Sequence, residues 1–94
     1  MVSLKNKATD DLFEAILTLK NVDECYKFFE DVCTVKEIQA ISQRLEVAKM
    51  LLEKRVYSDI VKETGASTAT ISRVNRSLTY GNGGYDIAFK RLEK

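Results

Sequence analysis

Residues 57 to 78 read YSDIVKETGASTATISRVNRSL, and the spacing of their apolar side chains decides the fold. In a pair of short helices, Ile60 and Thr64 would face inward from the first helix. Four residues would pack inward from the second: Ala66, Ile71, Val74 and Leu78. Between the helices lies Gly65, where a tight turn needs a positive φ that glycine adopts without penalty. This pattern predicts a helix-turn-helix over residues 57 to 78.

The outward face of the second helix has the composition of a nucleic-acid-binding surface. Ser67 can cap the helix, and the short side chains after it let the backbone lie close to a groove. No acidic residue lies between Glu63 and Asp86. The outward positions are Thr68, Ala69, Ser72, Arg73 and Arg76. The alternative is that the two helices only complete a core, but a structural surface helix normally mixes both signs of charge.

Length and charge narrow the possibilities for the whole chain. Its 94 residues predict one domain, residues 1 to 94. A chain of this length buries only about 60 to 65% of its unfolded surface, so a partner subunit would help it to fold. Lys and Arg total 15 against 14 Asp and Glu, so the overall charge gives no attraction to DNA. Any such attraction must come from local placement of charge.

Residue types exclude most kinds of catalytic or metal chemistry. The sequence contains no histidine, and Cys25 and Cys33 sit among apolar neighbours in helical patterns. We expect both cysteines to be reduced core residues, and we expect no metal and no cofactor. No carboxylate pair accompanies a nucleophile in an identifiable cleft, so we do not expect an enzyme.

The sequence shows no pattern of a signal peptide or of a membrane-spanning helix. The first residues, MVSLKNKATDD, lack an apolar signal core, and no apolar run approaches the roughly 20 residues of a membrane span. We therefore expect a cytoplasmic protein without a membrane partner.

Helical periodicity dominates from about residue 9 to residue 54. Thr9 is predicted to begin a first helix, and Asn21 to cap a second that runs to about Cys33. Both helices carry apolar groups on more than one side, which a homodimer would bury. Thr34 and Glu37 form a capping box that opens a long helix over about Val35 to Lys54.

The long helix is predicted to be the central helix of the domain. Its expected core stripe is Ile38, Ile41, Leu45, Ala48, Leu51 and Leu52. Arg44 lies near that stripe, so its charge must reach a partner or a solvent-filled pocket, unless it extends to solvent from the helix edge. After the helix-turn-helix, the glycines from Gly81 to Gly84 predict a turn, and Tyr85 to Leu92 a short last helix.

At this point the sequence resembles a known family. The segment TVKEIQAISQRLEVAKMLLEKRVYSDIVKETGASTATISRVNRSL, residues 34 to 78, is similar to the central part of the Trp repressor family, especially its YerC/YecD-like branch. The GNGGYD segment, residues 81 to 86, resembles the ending of that branch. The resemblance implies an all-α fold, an intertwined helical homodimer with helix-turn-helix heads that bind DNA. Residues 9 to 54 would then supply the dimerisation helices.

The resemblance also implies site residues. Those placed in or beside the major groove are Ser67, Thr68, Ala69, Ser72 and Arg73, with Arg73 and Arg76 on phosphates or guanine. Those matching the tryptophan contacts of the repressor are Thr34, Arg44, Thr70, Arg73 and Ser77. The position after Arg73, glycine in the repressor, is Val74 here, and its branched side chain would fill the space of the indole. We therefore do not expect tryptophan as corepressor.

The expected function is that of a sequence-specific DNA-binding transcriptional regulator, a repressor whose homodimer inserts the second helix of each helix-turn-helix into the major groove of double-stranded DNA. Two alternatives stay open. One is a protein-interaction module on the same scaffold, with a neutral and salt-insensitive surface around the second helix. The other is a regulator that responds to a small ligand other than tryptophan.

Overall fold

The computed structural model describes residues 3 to 93, which form six α-helices and contain no strand. The bounds are α1 Lys7–Leu17, α2 Val22–Val32, α3 Val35–Leu52, α4 Tyr57–Thr64, α5 Thr68–Tyr80 and α6 Gly84–Leu92. Within the described chain, residues 3 to 38 form one compact unit, and residues 39 to 93 form a second. The predicted all-α class is confirmed.

The first unit contains two capped helices. Asn6 Oδ1 accepts a hydrogen bond of 2.8 Å from the Thr9 amide, so α1 begins at Lys7. The prediction that Thr9 begins this helix is wrong, because Asn6 lies in the extended conformation of a cap residue and an asparagine serves as well there as a threonine. Asn21 caps α2 as predicted, accepting 2.8 Å from the Glu24 amide.

No side chain of residues 3 to 38 is buried within the chain. The exposed large apolar side chains of α1 and α2 are Leu12, Phe13, Leu17, Val22, Tyr26 and Val32. Cys25 and Cys33 are free and half-buried. The first unit therefore presents apolar surface rather than enclosing a core.

The long helix α3 has a well-defined start and end. The predicted capping box is present, with the Glu37 amide donating to Thr34 Oγ1 at 3.1 Å and the Thr34 amide donating to Glu37 Oε1 at 2.8 Å. The helix ends at Leu52, two residues before the predicted end, because Lys54 adopts a φ of 64°. Such a left-handed residue terminates a helix and satisfies its last carbonyls.

The core lies in the second unit, among side chains of α3, α4, α5 and the turn between α4 and α5. Its buried members are Val47, Ala48, Met50, Ile60, Ala66, Ile71 and Val74. Half-buried side chains packed against them come from α3, α5 and α6, namely Leu51, Leu78, Tyr85 and Phe89. The last helix, α6, thus packs against this core through Tyr85 and Phe89, and it begins one residue before its predicted start.

The predicted core stripe of α3 is partly wrong. Ile41, Leu45 and Leu52 are 57%, 41% and 48% exposed, whereas Val47 and Met50 are buried. At 100° per residue, α3 carries two apolar faces, and the predicted stripe belongs largely to the face that the core does not use. The face that covers the core contains Val47, Met50 and Leu51.

None of the helices between residues 3 and 93 combines the length and the apolarity that crossing a membrane would require.

Candidate nucleic-acid interface

The helix-turn-helix is built from α4, a three-residue turn and α5. Gly65 has a φ of 74°, the left-handed conformation expected at the turn. The Thr64 hydroxyl donates to the Ile60 carbonyl at 2.7 Å and accepts from the Ala66 amide at 3.1 Å. The first bond fixes the Thr64 side chain against α4, and the second satisfies the Ala66 amide in the turn between the two helices.

Ser67 caps the start of α5. Its Oγ accepts from the Thr70 amide at 3.1 Å and donates to Thr70 Oγ1 at 3.1 Å. The helix then runs to Tyr80, two residues beyond the predicted end, and stops at Gly81. A Cβ at Gly81 would lie 2.4 Å from the Ser77 carbonyl oxygen, so a larger residue would force the backbone to shift.

The inner side of this unit is packed as the spacing predicted. Ile60 of α4 and Ile71 of α5 are fully buried, Ala66 and Val74 are 2% exposed, and Leu78 is half-buried. Thr64 is half-buried. These side chains fix the crossing of α4 and α5, and so determine which face of α5 remains outside.

The outer side of α5 carries the residues predicted to meet DNA. Ser67, Thr68, Ala69, Ser72, Arg73 and Arg76 are all exposed. The last four of these follow the spacing i, i+3, i+4, i+7 and therefore share one face. The fold thus brings these four residues together on one exposed surface, with Ser67 and Thr68 exposed at the start of the helix, and we call the six residues together the α5 face.

The charge on the α5 face is positive and uncompensated by the rest of the described chain. Within residues 3 to 93, neither Arg73 nor Arg76 forms an ion pair. Glu63, the last acidic residue before α5, pairs with Arg55, which also lies 3.8 Å from Asp59. The first turn of α5 contains no acidic residue, so its free amides keep their positive partial charge.

The predicted ligand-pocket residues do not all belong to the same unit. Thr34 caps α3 in the first unit, and Arg44 is exposed on α3 in the second. Thr70, Arg73 and Ser77 lie along α5, with Thr70 half-buried and the other two exposed.

A shallow cleft of about 460 Å³ lies beside the glycine turn. It is lined by Leu45, Ser77, Gly81, Asn82, Gly83, Gly84, Tyr85 and Ala88. Of the five predicted pocket residues, only Ser77 lines this cleft. The cleft is mostly apolar surface and backbone, so its lining does not match the polar ligand contacts that the resemblance implied.

Val74 lies in the buried cluster rather than beside a cavity. It is 2% exposed and belongs to the same cluster as Val47 and Ala48 of α3 and Ile60 of α4. Its branched side chain therefore contributes to the packing between α5 and the rest of the second unit.

Sequence reasoning missed one residue that contacts the helix-turn-helix. Gln43 of α3 is half-buried, and its Nε2 donates to the Thr64 carbonyl at 3.1 Å. Gln43 lies one turn before Val47 on the same face of α3. A polar residue on a buried helix face normally has a hydrogen-bond partner, and that signal would have identified it if the buried face had been assigned correctly.

Comparisons with known proteins agree with this architecture. The family model described as Trp repressor protein matches residues 7 to 93. The uncharacterised protein YerC of Bacillus subtilis (strain 168) is 56% identical over 91 residues, covering 97% of this chain and 88% of that protein.

Two crystal structures are similar over nearly the whole chain. A TrpR-like protein from Eubacterium eligens ATCC 27750 is 67% identical, with a TM-score of 0.93, over 96% of this chain and 93% of that one. A candidate Trp repressor from Staphylococcus aureus is 57% identical, with a TM-score of 0.92, over 96% and 90% of the two chains. A matching family model, a close relative and two matching folds thus agree, and the chain belongs to the Trp repressor family.

Proposed function

We propose that this protein is a sequence-specific DNA-binding regulator of transcription, acting as a repressor. The observation that carries the proposal is the α5 face, an exposed and acid-free surface with two arginines outside any ion pair of the described residues. Helix α5 would lie in the major groove of double-stranded DNA. Membership of the Trp repressor family supports this assignment.

The residues of the α5 face have different chemical roles in this proposal. Thr68 and Ala69 lie in the first turn and would touch base edges or the thymine methyl group, while Ser72 would donate to a base or a phosphate. Arg73 and Arg76 would hold phosphates or reach guanine. The Ser67 hydroxyl already bonds Thr70, so Ser67 would support the helix start beside the groove rather than read a base.

We further propose that the protein acts as a homodimer. The exposed apolar side chains of α1 and α2, and the second apolar face of α3, support this because a chain in solution would otherwise leave them in water. A symmetric dimer presents two copies of α5. Its operator would then be a near-palindrome with half-sites about one helical turn, roughly 34 Å, apart.

The regulator would work without tryptophan. Val74 supports this part of the proposal, because its side chain is already packed in the core of the second unit. A ligand changes the pose of α5 only if it binds one pose better than another. If the helix-turn-helix is already held in one pose, a ligand can change the populations of the poses only slightly.

Selection of genomic fragments with the purified protein, followed by fluorescence anisotropy on a selected fragment, tests the proposal. In the Arg73→Ala, Arg76→Ala double variant we expect weaker binding and a log-log salt slope smaller by about 1 for each removed arginine that binds a phosphate. The matched control is Lys90→Ala, Arg91→Ala, which removes two charges from α6 and should leave the affinity within about 2-fold.

Two outcomes would contradict DNA binding through the α5 face. One is an unchanged affinity in the Arg73→Ala, Arg76→Ala variant. The other is a protein that selects no fragment and associates with proteins in a salt-insensitive way, which would identify a protein-interaction module instead.

A further inference from the structure

One hydrogen bond joins the long helix to the turn of the helix-turn-helix. The Thr64 carbonyl lies at the end of α4, where no later amide of the helix can bind it. A carbonyl oxygen only accepts, so the Gln43 amide nitrogen is the group that faces it, at 3.1 Å. The two residues are 21 positions apart in the sequence, and both are half-buried.

Two further hydrogen bonds lie between Thr64 and the start of α5. The Thr64 hydroxyl accepts from the Ala66 amide, and Ala66 is buried in the core. The next residue, Ser67, caps α5 through the Thr70 amide. Hydrogen bonds at Thr64 and Ser67, joined by the backbone of residues 64 to 67, thus link Gln43 on α3 to the first turn of the helix that carries the α5 face.

The ion pairs between Arg55, which lies just before α4, and the side chains of α4 are weaker. Arg55 pairs with Glu63 and lies 3.8 Å from Asp59, but all three side chains are at least a third exposed. Exposed ion pairs contribute little to stability and are screened by salt. A half-buried hydrogen bond between an amide and a carbonyl is not screened in this way. Loss of the Gln43 donor would also leave the Thr64 carbonyl with no protein partner.

We infer that Gln43 is a positioning residue that holds the turn against α3 and thereby sets the pose of α5 for DNA without a bound ligand. This inference rests on the proposed function, because the pose of α5 matters only if α5 meets DNA. It adds a polar connection on α3 to the apolar packing of Val74.

The test replaces Gln43 by Met, which has a similar length and no donor. We expect about 5-fold weaker DNA binding with an unchanged salt slope, because the fraction of protein in the binding pose falls while the phosphate-binding arginines stay the same. Amide hydrogen exchange over residues 64 to 71 should accelerate by a similar factor. The matched control is Gln39→Met, one turn earlier on α3 and exposed, which should change neither measurement.

A second variant separates positioning from folding. Gln43→Asn keeps the amide but shortens the side chain by one methylene, so it should weaken binding and accelerate exchange in the same direction as Met. Circular dichroism identifies a variant that has unfolded, and the Asn variant then carries the test.

Three results bear on the inference differently. Values for Gln43→Met and Gln43→Asn equal to those for Gln39→Met would overturn it. So would a loss of affinity with a smaller salt slope, which would make Gln43 a DNA-binding residue. If the unmodified protein selects no DNA, the proposed function fails, and the hydrogen-exchange comparison alone decides whether Gln43 holds the turn.

Discussion

The two compact units use apolar side chains in opposite ways. In the second unit, seven side chains are buried in a cluster that joins α3, α4 and α5. In the first unit, α1 and α2 bury none, although both have apolar side chains on several sides. Since the hydrophobic effect scales with the apolar area removed from water, the second unit can stabilise itself, and the first needs a surface to pack on.

The two units therefore differ in role: the second would present α5, and the first would hold two copies of the chain together. The helix-turn-helix presents a defined face of α5 because its inner side is already packed. The first unit would become stable only when a second copy covers it, so assembly and folding would be linked there.

The largest expected effect is on the first unit. Phe13 and Leu17 are 55% and 83% exposed, and replacing both with Glu would place two carboxylates in the proposed dimer interface. By light scattering we expect the unmodified protein to be a dimer and Phe13→Glu, Leu17→Glu to be a monomer, in which only the second unit still unfolds cooperatively.

The matched control for this prediction is Ile87→Glu, Leu92→Glu, which alters two exposed apolar positions of α6. It should leave the dimer intact. A stable, folded monomer of the unmodified protein at micromolar concentration would contradict the linked assembly of the first unit.

A smaller effect is expected in the core of the second unit. Ile71→Ala removes a fully buried side chain and should lower the free energy of unfolding by about 2 to 5 kcal/mol. Val61→Ala, on the exposed side of α4, should change it by no more than about 0.5 kcal/mol. Urea unfolding at one fixed protein concentration measures both, and equal effects would show that the second unit lacks the core described above.

The cap of α5 should matter less than the core. Ser67→Ala removes the acceptor of the Thr70 amide and should cost about 1 kcal/mol of unfolding free energy. Ser72→Ala, in the exposed middle of the same helix, should stay within about 0.5 kcal/mol. A Ser67→Ala variant as stable as Ser72→Ala would mean that water replaces the cap at no cost.

The smallest expected effect is that of tryptophan. Because Val74 is packed in the core, tryptophan at millimolar concentration should change neither the melting temperature nor the affinity for a selected DNA fragment. Calorimetry of the unmodified protein and of Val74→Gly provides the comparison. Micromolar tryptophan binding by unmodified protein, coupled to tighter DNA binding, would make Arg44, Thr70, Arg73 and Ser77 a working corepressor site.

Local signals predicted the second unit well. The positive φ of Gly65, the cap at Ser67 and the inward spacing of Ile60 and Ile71 each depend on a few neighbouring residues, so a single sequence contains enough information to place them. The exposed α5 face followed from the same spacing, because fixing the inner side of a helix also fixes its outer side.

Where two residues or two helix faces fit the same local pattern, the sequence did not predict which of them the structure uses. Asn6 and Thr9 can both cap a helix, and the sequence alone does not rank them. Similarly, α3 has two apolar faces, and only tertiary packing decides that Val47 rather than Ile41 meets the core. The role of Gln43 does not follow from local patterns for the same reason, since Gln43 lies on the core-facing side of α3 and its partner Thr64 is 21 residues away.

The end of α3 contains a residue whose replacement should raise the free energy of unfolding. Lys54 is the only non-glycine residue between positions 3 and 93 with a positive φ. The Arg55 amide reaches the Met50 carbonyl and the Lys54 amide the Leu51 carbonyl, each at 3.0 Å, in the closing pattern that usually contains glycine. A side chain in this conformation costs about 1 kcal/mol. Lys54, which lies just before the helix-turn-helix, is therefore a position where a change to glycine should stabilise the fold, and where laboratory selection for thermal resistance should find an early gain.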